Sequence, residues 1–273
     1  MTIPGHIPSY VRARSEVRAH FARIGAATRI ADCYETGGLR LKLPQSDGVC
    51  DGVLINTAGG MTGGDSARIE ATAAPHTRLR LTTQSAEKVY RAERAPAEVQ
   101  VSLRVGERSR LAWMPQETIL FDGSRLRRTL EVETTECASL LLFEMTVFGR
   151  VARAERMASG AFRDRWRVRR AGRLIFADDV RLDDEIASTL DEAATGAGAR
   201  AIATLLLVAP DAEKQLAFAR ELCARARAHC GASAWNDMLI IRFTASDPQH
   251  IRLDASTLIP RLMRTKLPRV WAC

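Results

Sequence analysis

Between residues 39 and about 182 the hydrophobic residues recur at every second position, and that period confines the chain to strands with one face in and one face out. Leu39, Leu41 and Leu43 alternate with Arg40 and Lys42 before Pro44 ends the run. Leu79 and Leu81 alternate with Arg78 and Arg80, and Val99, Val101, Leu103 and Val105 with Gln100, Ser102 and Arg104. Leu126, Leu130 and Val132 mark another such stretch. Trp166 and Val168, then Leu174 and Phe176, flank residues 170–173, where Gly172 supplies the turn of a hairpin. Half-buried strands of this kind stack in layers. The expected fold is therefore mainly β, with layered β-helix-like or sandwich-like strands.

The period changes towards the C-terminus. In residues 211–230, Leu216, Ala219, Cys223, Ala226 and Cys230 recur at three and four, one face of a helix, with Pro210 and Asp211 as its start and Gly231 as its stop. Cys223 and Cys230 then read as core-facing thiols and not as ligands. Leu258, Leu262 and Met263 predict a second helix over 256–266, which requires Pro260 in its first turn. About two α-helices thus fall in the C-terminal third, with a strand over 238–243 between them. Residues 189–199 read as a surface loop. The stretch before Tyr34, with Val17, Phe21 and Ile24, fits a short helix or a strand equally. No fixed-period repeat or linker divides the chain, so residues 1–273 are expected to form one domain.

Charge narrows the function less than the fold. Lys and Arg together number 40 against 32 acids, a formal net charge of +8, and only Lys42, Lys88, Lys214 and Lys266 are lysines. Arginine suits carboxylate-bearing protein partners as well as nucleic acid, and a solvated basic surface explains it too. A nucleic-acid-binding β protein is one reading, but no aromatic-interleaved basic strand or recognition helix accompanies the charge. Cysteines at 33, 50, 137, 223, 230 and 273 form no CxxC pair, and the five histidines are dispersed, so no zinc-type cluster is written in the sequence. The first 35 residues lack the apolar core of a signal peptide, and the longest apolar stretches, 140–143 and 201–209, are too short to span a bilayer. A cytoplasmic protein with reduced thiols and no membrane association is expected.

Three segments are unusual enough to carry chemistry. Residues 56–66, NTAGGMTGGDS, cluster glycines that let backbone approach another group closely. A phosphate- or nucleotide-binding enzyme using the loop 59–64 is the sharp reading; it lacks a Gly-Lys-Ser/Thr ending and a clear following helix. A tight crossing between strands, with Asp65 fixed at its rim, fits better. Residues 81–91, LTTQSAEKVYR, place hydroxyl and amide groups where they can line a wet cavity, and Ser85 has no activating base nearby in sequence. In residues 113–123, WMPQETILFDG, Glu117 and Asp122 stand five apart, on opposite faces of a strand, which does not suit an acid–base pair. They serve as oxygen ligands or as ordinary turn and surface residues. At the end of the chain, Arg269 and Trp271 anchor a partner or tuck the tail onto the body; the sequence leaves both open.

In this order, NTAGGMTGGD at 56–65, LTTQSAEKVYR at 81–91, PQETILFDG at 115–123 with Leu126-Arg127-Arg128 after it, Glu144 followed by Gly149-Arg150, and the closing Pro268-Arg269-Val270-Trp271 resemble the urease accessory protein D family, called UreH in some bacteria. The resemblance spans nearly the whole chain, with residues 1–35 and 183–255 adding little. It implies a layered β-helix scaffold and no enzyme. Its implied partners are apo-urease and the accessory proteins F and G, with GTP hydrolysed by protein G and nickel supplied upstream by protein E. It implies no tightly bound cofactor; Ni²⁺ is cargo in transit. Weak oxygen donors suit such transit, because Cys or His ligation would hold the ion. The path candidates carried by the matched motifs are Asp65, Thr83, Ser85, Glu117, Asp122 and Glu144, with Asp178 as an addition and Arg269 and Trp271 as partner contacts.

Overall fold

The structure is a computed structural model that describes residues 12–45 and 48–272. Its strands in chain order are β1 (Arg14–Ile24), β2 (Ala27–Thr36), β3 (Leu39–Lys42), β4 (Cys50–Asn56), β5 (Ser66–Ala73), β6 (Arg78–Thr83), β7 (Glu87–Val89), β8 (Ala97–Val105) and β9 (Arg110–Trp113). They continue as β10 (Thr118–Leu120), β11 (Arg125–Thr134), β12 (Ser139–Phe148), β13 (Ala161–Arg170), β14 (Arg173–Asp183), β15 (Ala201–Val208), β16 (His229–Trp235) and β17 (Met238–Ala245). A seven-stranded sheet has the order β14-β13-β11-β8-β5-β1-β2, and a ten-stranded sheet runs β16-β17-β15-β12-β9-β6-β4-β3 with β10 and β7 beside it.

The chain winds from one sheet to the other and back: β4 to β5, β6 to β8, β9 to β11, β12 to β13. Within each sheet the strands of successive turns lie parallel, as in the coils of a β-solenoid. Antiparallel strands close both ends of the stack. β2 pairs with β1 and β3 with β4 at one end; β14 pairs with β13, and β15, β17 and β16 follow β12 at the other. The mainly β expectation holds, in its β-helix-like form.

The longest alternating strands belong to the seven-stranded sheet, while the short runs Leu39–Leu41 on β3 and Leu79–Leu81 on β6 lie in the ten-stranded one. On β11, Leu126, Leu130 and Val132 are buried while Arg127, Glu131 and Glu133 face solvent. Its outer face carries interleaved charges, with Glu98–Arg127 at 3.0 Å and Arg163–Asp179 at 2.7 Å, so arginine there is largely neutralised. The ten-stranded sheet is covered twice, by the other sheet on its inner face and by helices on its outer face. β12, SLLLFEMTVF, therefore has nine consecutive buried residues and no alternation.

Three helices are present among the described residues: α1 (Ile186–Asp191), α2 (Leu216–Ala224) and α3 (Pro248–Met263). α3 buries Ile251, Ala255, Leu258, Ile259 and Leu262 in the outer core with Phe143, Leu205 and Phe243. It begins at Pro248, with the Asp247 carboxylate accepting from Gln249 N at 2.9 Å, so Pro260 lies in the last turn and not in the first. α2 is shorter than the sequence predicts. The helix ends at Ala224, and Cys230 and Gly231 lie on β16, because Asn236 and Asp237, at φ 50° and 58°, turn that segment into a hairpin with β17. Cys223 and Cys230 still face the outer core, the Cys230 thiol 3.8 Å from the Cys223 carbonyl. Residues 189–199 are not all loop, since α1 buries Ile186 and Leu190. The first stretch resolves to strand β1, and the hairpin at Ala171-Gly172 forms as expected.

Candidate functional site

The core between the two sheets is apolar except for one band. Arg128 on β11 points inward, level with Leu126 and Leu130, and Asp164 sits beside it on β13 in direct register. Arg128 Nε and Nη2 donate to the two Asp164 oxygens at 3.0 and 2.6 Å. Across the gap, on β12, Glu144 accepts from Arg128 Nη1 and from Trp113 Nε1, the latter at 2.7 Å. Thr118 and Thr146 each lie 3.3 Å from the guanidinium, and Trp166 Nε1 donates to Asp164 at 3.2 Å. Burial pushes the Glu144 carboxyl up even with Arg128 and Trp113 holding it. Burial works against the charge of Arg128, but the two carboxylates more than offset it and hold the guanidinium firmly protonated.

Cavities adjoin this group on both sides. One, of about 130 Å³, reaches from Arg128, Glu144 and Trp113 past Thr118, Gln116 and Thr83 to Ser85, Glu87 and Asn56. The other, about 20 Å³, lies between the same Arg128–Glu144 pair and Asp164, Thr204 and Asp178. Asp178 is in turn paired with Arg242 at 2.8 Å. At the far end of the larger cavity the Asn56 amide donates to both Glu87 oxygens, at 3.2 and 3.0 Å. Burial raises the Glu87 carboxyl above its ordinary range despite that amide.

Three of the six motif-derived path residues face this cavity. Glu144 is at its inner end, Thr83 on its wall accepting from Gln116 N at 2.9 Å, and Ser85 towards the exposed end. The other three do not. Asp65 is a loop clamp, accepting from Ala13 N at 2.9 Å and Thr62 N at 2.8 Å. Glu117 turns outward to Arg252 at 3.1 Å. Asp122 accepts from Ala158 N and Ser159 N at 2.9 and 3.1 Å, tying down a surface turn. Acidity within a motif does not distinguish a clamp from a wall. Asp178 borders the smaller cavity.

Arg128, Asp164, Trp113, Thr118 and Glu87 are missing from the sequence-derived set. For Arg128 and Asp164 a signal exists: each is a charge at the inward parity of an alternating strand, between Leu126 and Leu130 and between Phe162 and Trp166. Nothing comparable marks Glu144, because β12 does not alternate.

Part of the glycine loop at 56–66 is packed closely against the chain itself. A Cβ on Gly60 would come within 2.5 Å of the Tyr90 ring, and one on Gly63 within 2.3 Å of the Ala95 carbonyl. Met61 N and Tyr90 N complete a ladder with Lys88 O and Met61 O at 2.7 and 2.8 Å. At Gly60 and Gly63 close backbone approach is used for the crossing between sheets, while Gly59 is open and, with Gly60, borders the larger cavity.

At the C-terminus Trp271 is only 6% exposed. Its indole donates to Thr82 at 3.2 Å and packs against Phe143 at 5.7 Å, while Gln116 holds Val270 O at 3.0 Å. Arg80 forks onto Asp51 at 2.5 and 2.9 Å and also holds the Lys266 carbonyl. The tail is thus latched to the body, and of the two terminal contact candidates only Arg269 is exposed. Cys273 lies outside the described residues. No helix among the described residues is long and apolar enough to cross a membrane.

Residues 13–272 match the family described as UreD urease accessory protein. The chain belongs to that family. It is 46% identical to the urease accessory protein UreD of Xanthobacter autotrophicus over 264 residues, 96% of this chain and 91% of the relative. It is 45% identical to the UreD protein of a Methylobacterium species over 269 residues, 95% of each chain. The UreD protein of Azorhizobium caulinodans is 42% identical over 266 residues, 97% of this chain and 98% of the relative. A UreD chain of this construction carries its buried polar groups on parallel coils, with the helices behind the opposite face of the sheet.

Proposed function

We propose that the chain serves urease maturation as a non-catalytic scaffold that conducts Ni²⁺ between its two sheets towards the urease active site. In this reading it works in complex with apo-urease and the accessory proteins F and G, in the cytoplasm, with GTP hydrolysed by protein G and nickel delivered upstream by protein E. The observation that carries it is the polar band itself. Asn56, Glu87, Thr83, Thr118, Glu144, Asp164, Thr204 and Asp178 line cavities that meet between otherwise apolar sheets.

Burying so many polar groups is unfavourable for stability alone, since a dry core of the same shape would be at least as stable. The donors suit the cargo. They are carboxylate, hydroxyl and amide groups, spaced one or two at a time, and among the described residues no group of three His, Cys, Asp or Glu side chains converges to hold a metal. An ion passing them exchanges water for protein oxygen without falling into a deep trap.

Ala67 lines the larger cavity from β5 and carries no charge. Ala67→Phe narrows the route sterically while leaving the outer surface unchanged. Urease matured with this variant should contain several-fold less nickel, with apo-urease co-purifying as before. Undiminished nickel in the purified urease would end the transit reading.

A further inference from the structure

Arg128 stands where the two cavities meet, and both are lined by Arg128 and Glu144. Any cation moving between them encounters a fixed positive charge that is 4% exposed and held by Asp164, Glu144, Thr118 and Thr146. A guanidinium is an obstacle among the acceptors Thr83, Glu87, Thr118 and Glu144 that make up the polar part of a wall shared with Leu54, Ile69, Val99 and Val101, and its placement needs a reason beyond packing. We propose that Arg128 is the gate of the passage, a resident cation that occupies the Glu144–Asp164 position until a divalent ion displaces it; this rests on the transit reading.

Three features carry the proposal. The first is charge. Glu144, Asp164 and Glu87, the acceptor that receives the displaced guanidinium, sum with Arg128 to −2, so an incoming divalent cation brings the group to zero whereas a monovalent ion would leave a buried charge in place. The second is anchoring. Trp113 and Trp166 donate to Glu144 and Asp164 independently of Arg128, so both carboxylates stay in position when the guanidinium leaves. The third is space. The larger cavity, at about 130 Å³, holds several waters and opens directly beside the guanidinium. Its wall offers the Glu87 carboxylate as an alternative acceptor, so the side chain has somewhere to swing. Arg128 thereby acts as a positioning residue that sets a threshold: ions that cannot compete with a forked guanidinium do not pass.

The test uses the full-length protein and Ni²⁺ alone, measured by equilibrium dialysis, alongside the nickel content of urease matured in cells. Arg128→Met leaves the two carboxylates without their cation. It should bind Ni²⁺ at least about tenfold more tightly than the unaltered protein, because a buried unpaired charge is costly. Adding Glu144→Gln should remove the gain. Urease matured with Arg128→Met should contain less nickel, since the ion is retained on the way. Arg128→Lys keeps a charge but not the fork, so its Ni²⁺ binding should rise by a smaller factor. It decides the matter if Arg128→Met does not fold. Unchanged Ni²⁺ binding in whichever folded variant is measured reduces Arg128 to a structural ion pair and overturns the gate. That outcome is separable from failure of the passage, which Ala67→Phe reads: nickel blocked by Ala67→Phe but indifferent to Arg128 leaves the route standing and removes only its gate.

Discussion

Phe143 and Glu144 are neighbours on β12, and they belong to the two opposite faces of one sheet. The outer face joins Phe143, Met145, Leu205 and Phe243 to α2 and α3 in an apolar core, with the buried Arg80–Asp51 pair beside it holding the tail. On the inner face the same strands contribute Glu144, Thr146 and Thr204, with Arg128 and Asp164 opposite. Both faces are shielded from solvent, so burial alone does not set their character. The dry face fixes the sheet and latches the tail through Trp271. The polar face gives up the stability that an apolar filling would provide and holds the two cavities that the transit reading uses. In the proposed reading, stability and transport are assigned to opposite sides of one set of strands.

Mutations separate the two. The largest effect is expected at the polar face: Arg128→Met should lower the unfolding free energy by about 3–5 kcal/mol, because Glu144 and Asp164 are left buried and unpaired. Replacing all three together with apolar residues should recover most of that loss in urea unfolding while abolishing urease maturation. If the triple replacement is as unstable as Arg128→Met, the polar band is a structural requirement and the contrast between the faces fails. On the dry face, Trp271→Ala should cost about 3 kcal/mol through lost packing against Phe143. Nickel content per folded molecule should not change, as urea unfolding and metal analysis of matured urease would show. Asp247→Ala, which removes the α3 cap, should cost about 1 kcal/mol in the same unfolding assay.

The smallest effect is at Glu87, whose carboxyl is raised above 4.5 in the folded chain by burial. The folded protein therefore binds this proton more tightly than the unfolded chain does. Its stability is greatest below the unfolded value and declines as pH rises through the folded one. Glu87→Gln should remove that decline and leave the variant the more stable of the two at neutral pH, as thermal unfolding between pH 4 and 7 would reveal.

The seven-stranded sheet was legible because one of its faces meets water. Val99, Val101, Leu103 and Val105, and Leu126, Leu130 and Val132, display the period that solvent imposes. The ten-stranded sheet was harder to read, because β12 is buried along nine consecutive residues and β15 along its last four, so neither alternates throughout. Residues 211–230 kept a helical period past the end of α2 because Ala226 and Cys230 continue the spacing, although the Asn236-Asp237 turn takes the chain into a strand. The motif at 81–91 located the wall of the cavity, but separating Asp65, Glu117 and Asp122 from it requires knowing which carboxylates already accept backbone or arginine hydrogens. Sequence spacing does not carry that information. Arg128 and Asp164 were readable in principle, as charges at apolar parity.

The antiparallel strands at the two ends of the coil stack have a consequence for life in a crowded cell. Parallel turns laid on one another expose, at each end, a row of amides and carbonyls ready to template another copy, and a stack left open in this way tends towards fibres. β2 and β14 run against that grain in the seven-stranded sheet, and β14 carries Arg173, Arg181, Asp179 and Asp183 along the outermost rung. A growing neighbour would meet reversed polarity and charge in place of a matching rung. The hairpins that complete the fold are also its terminators.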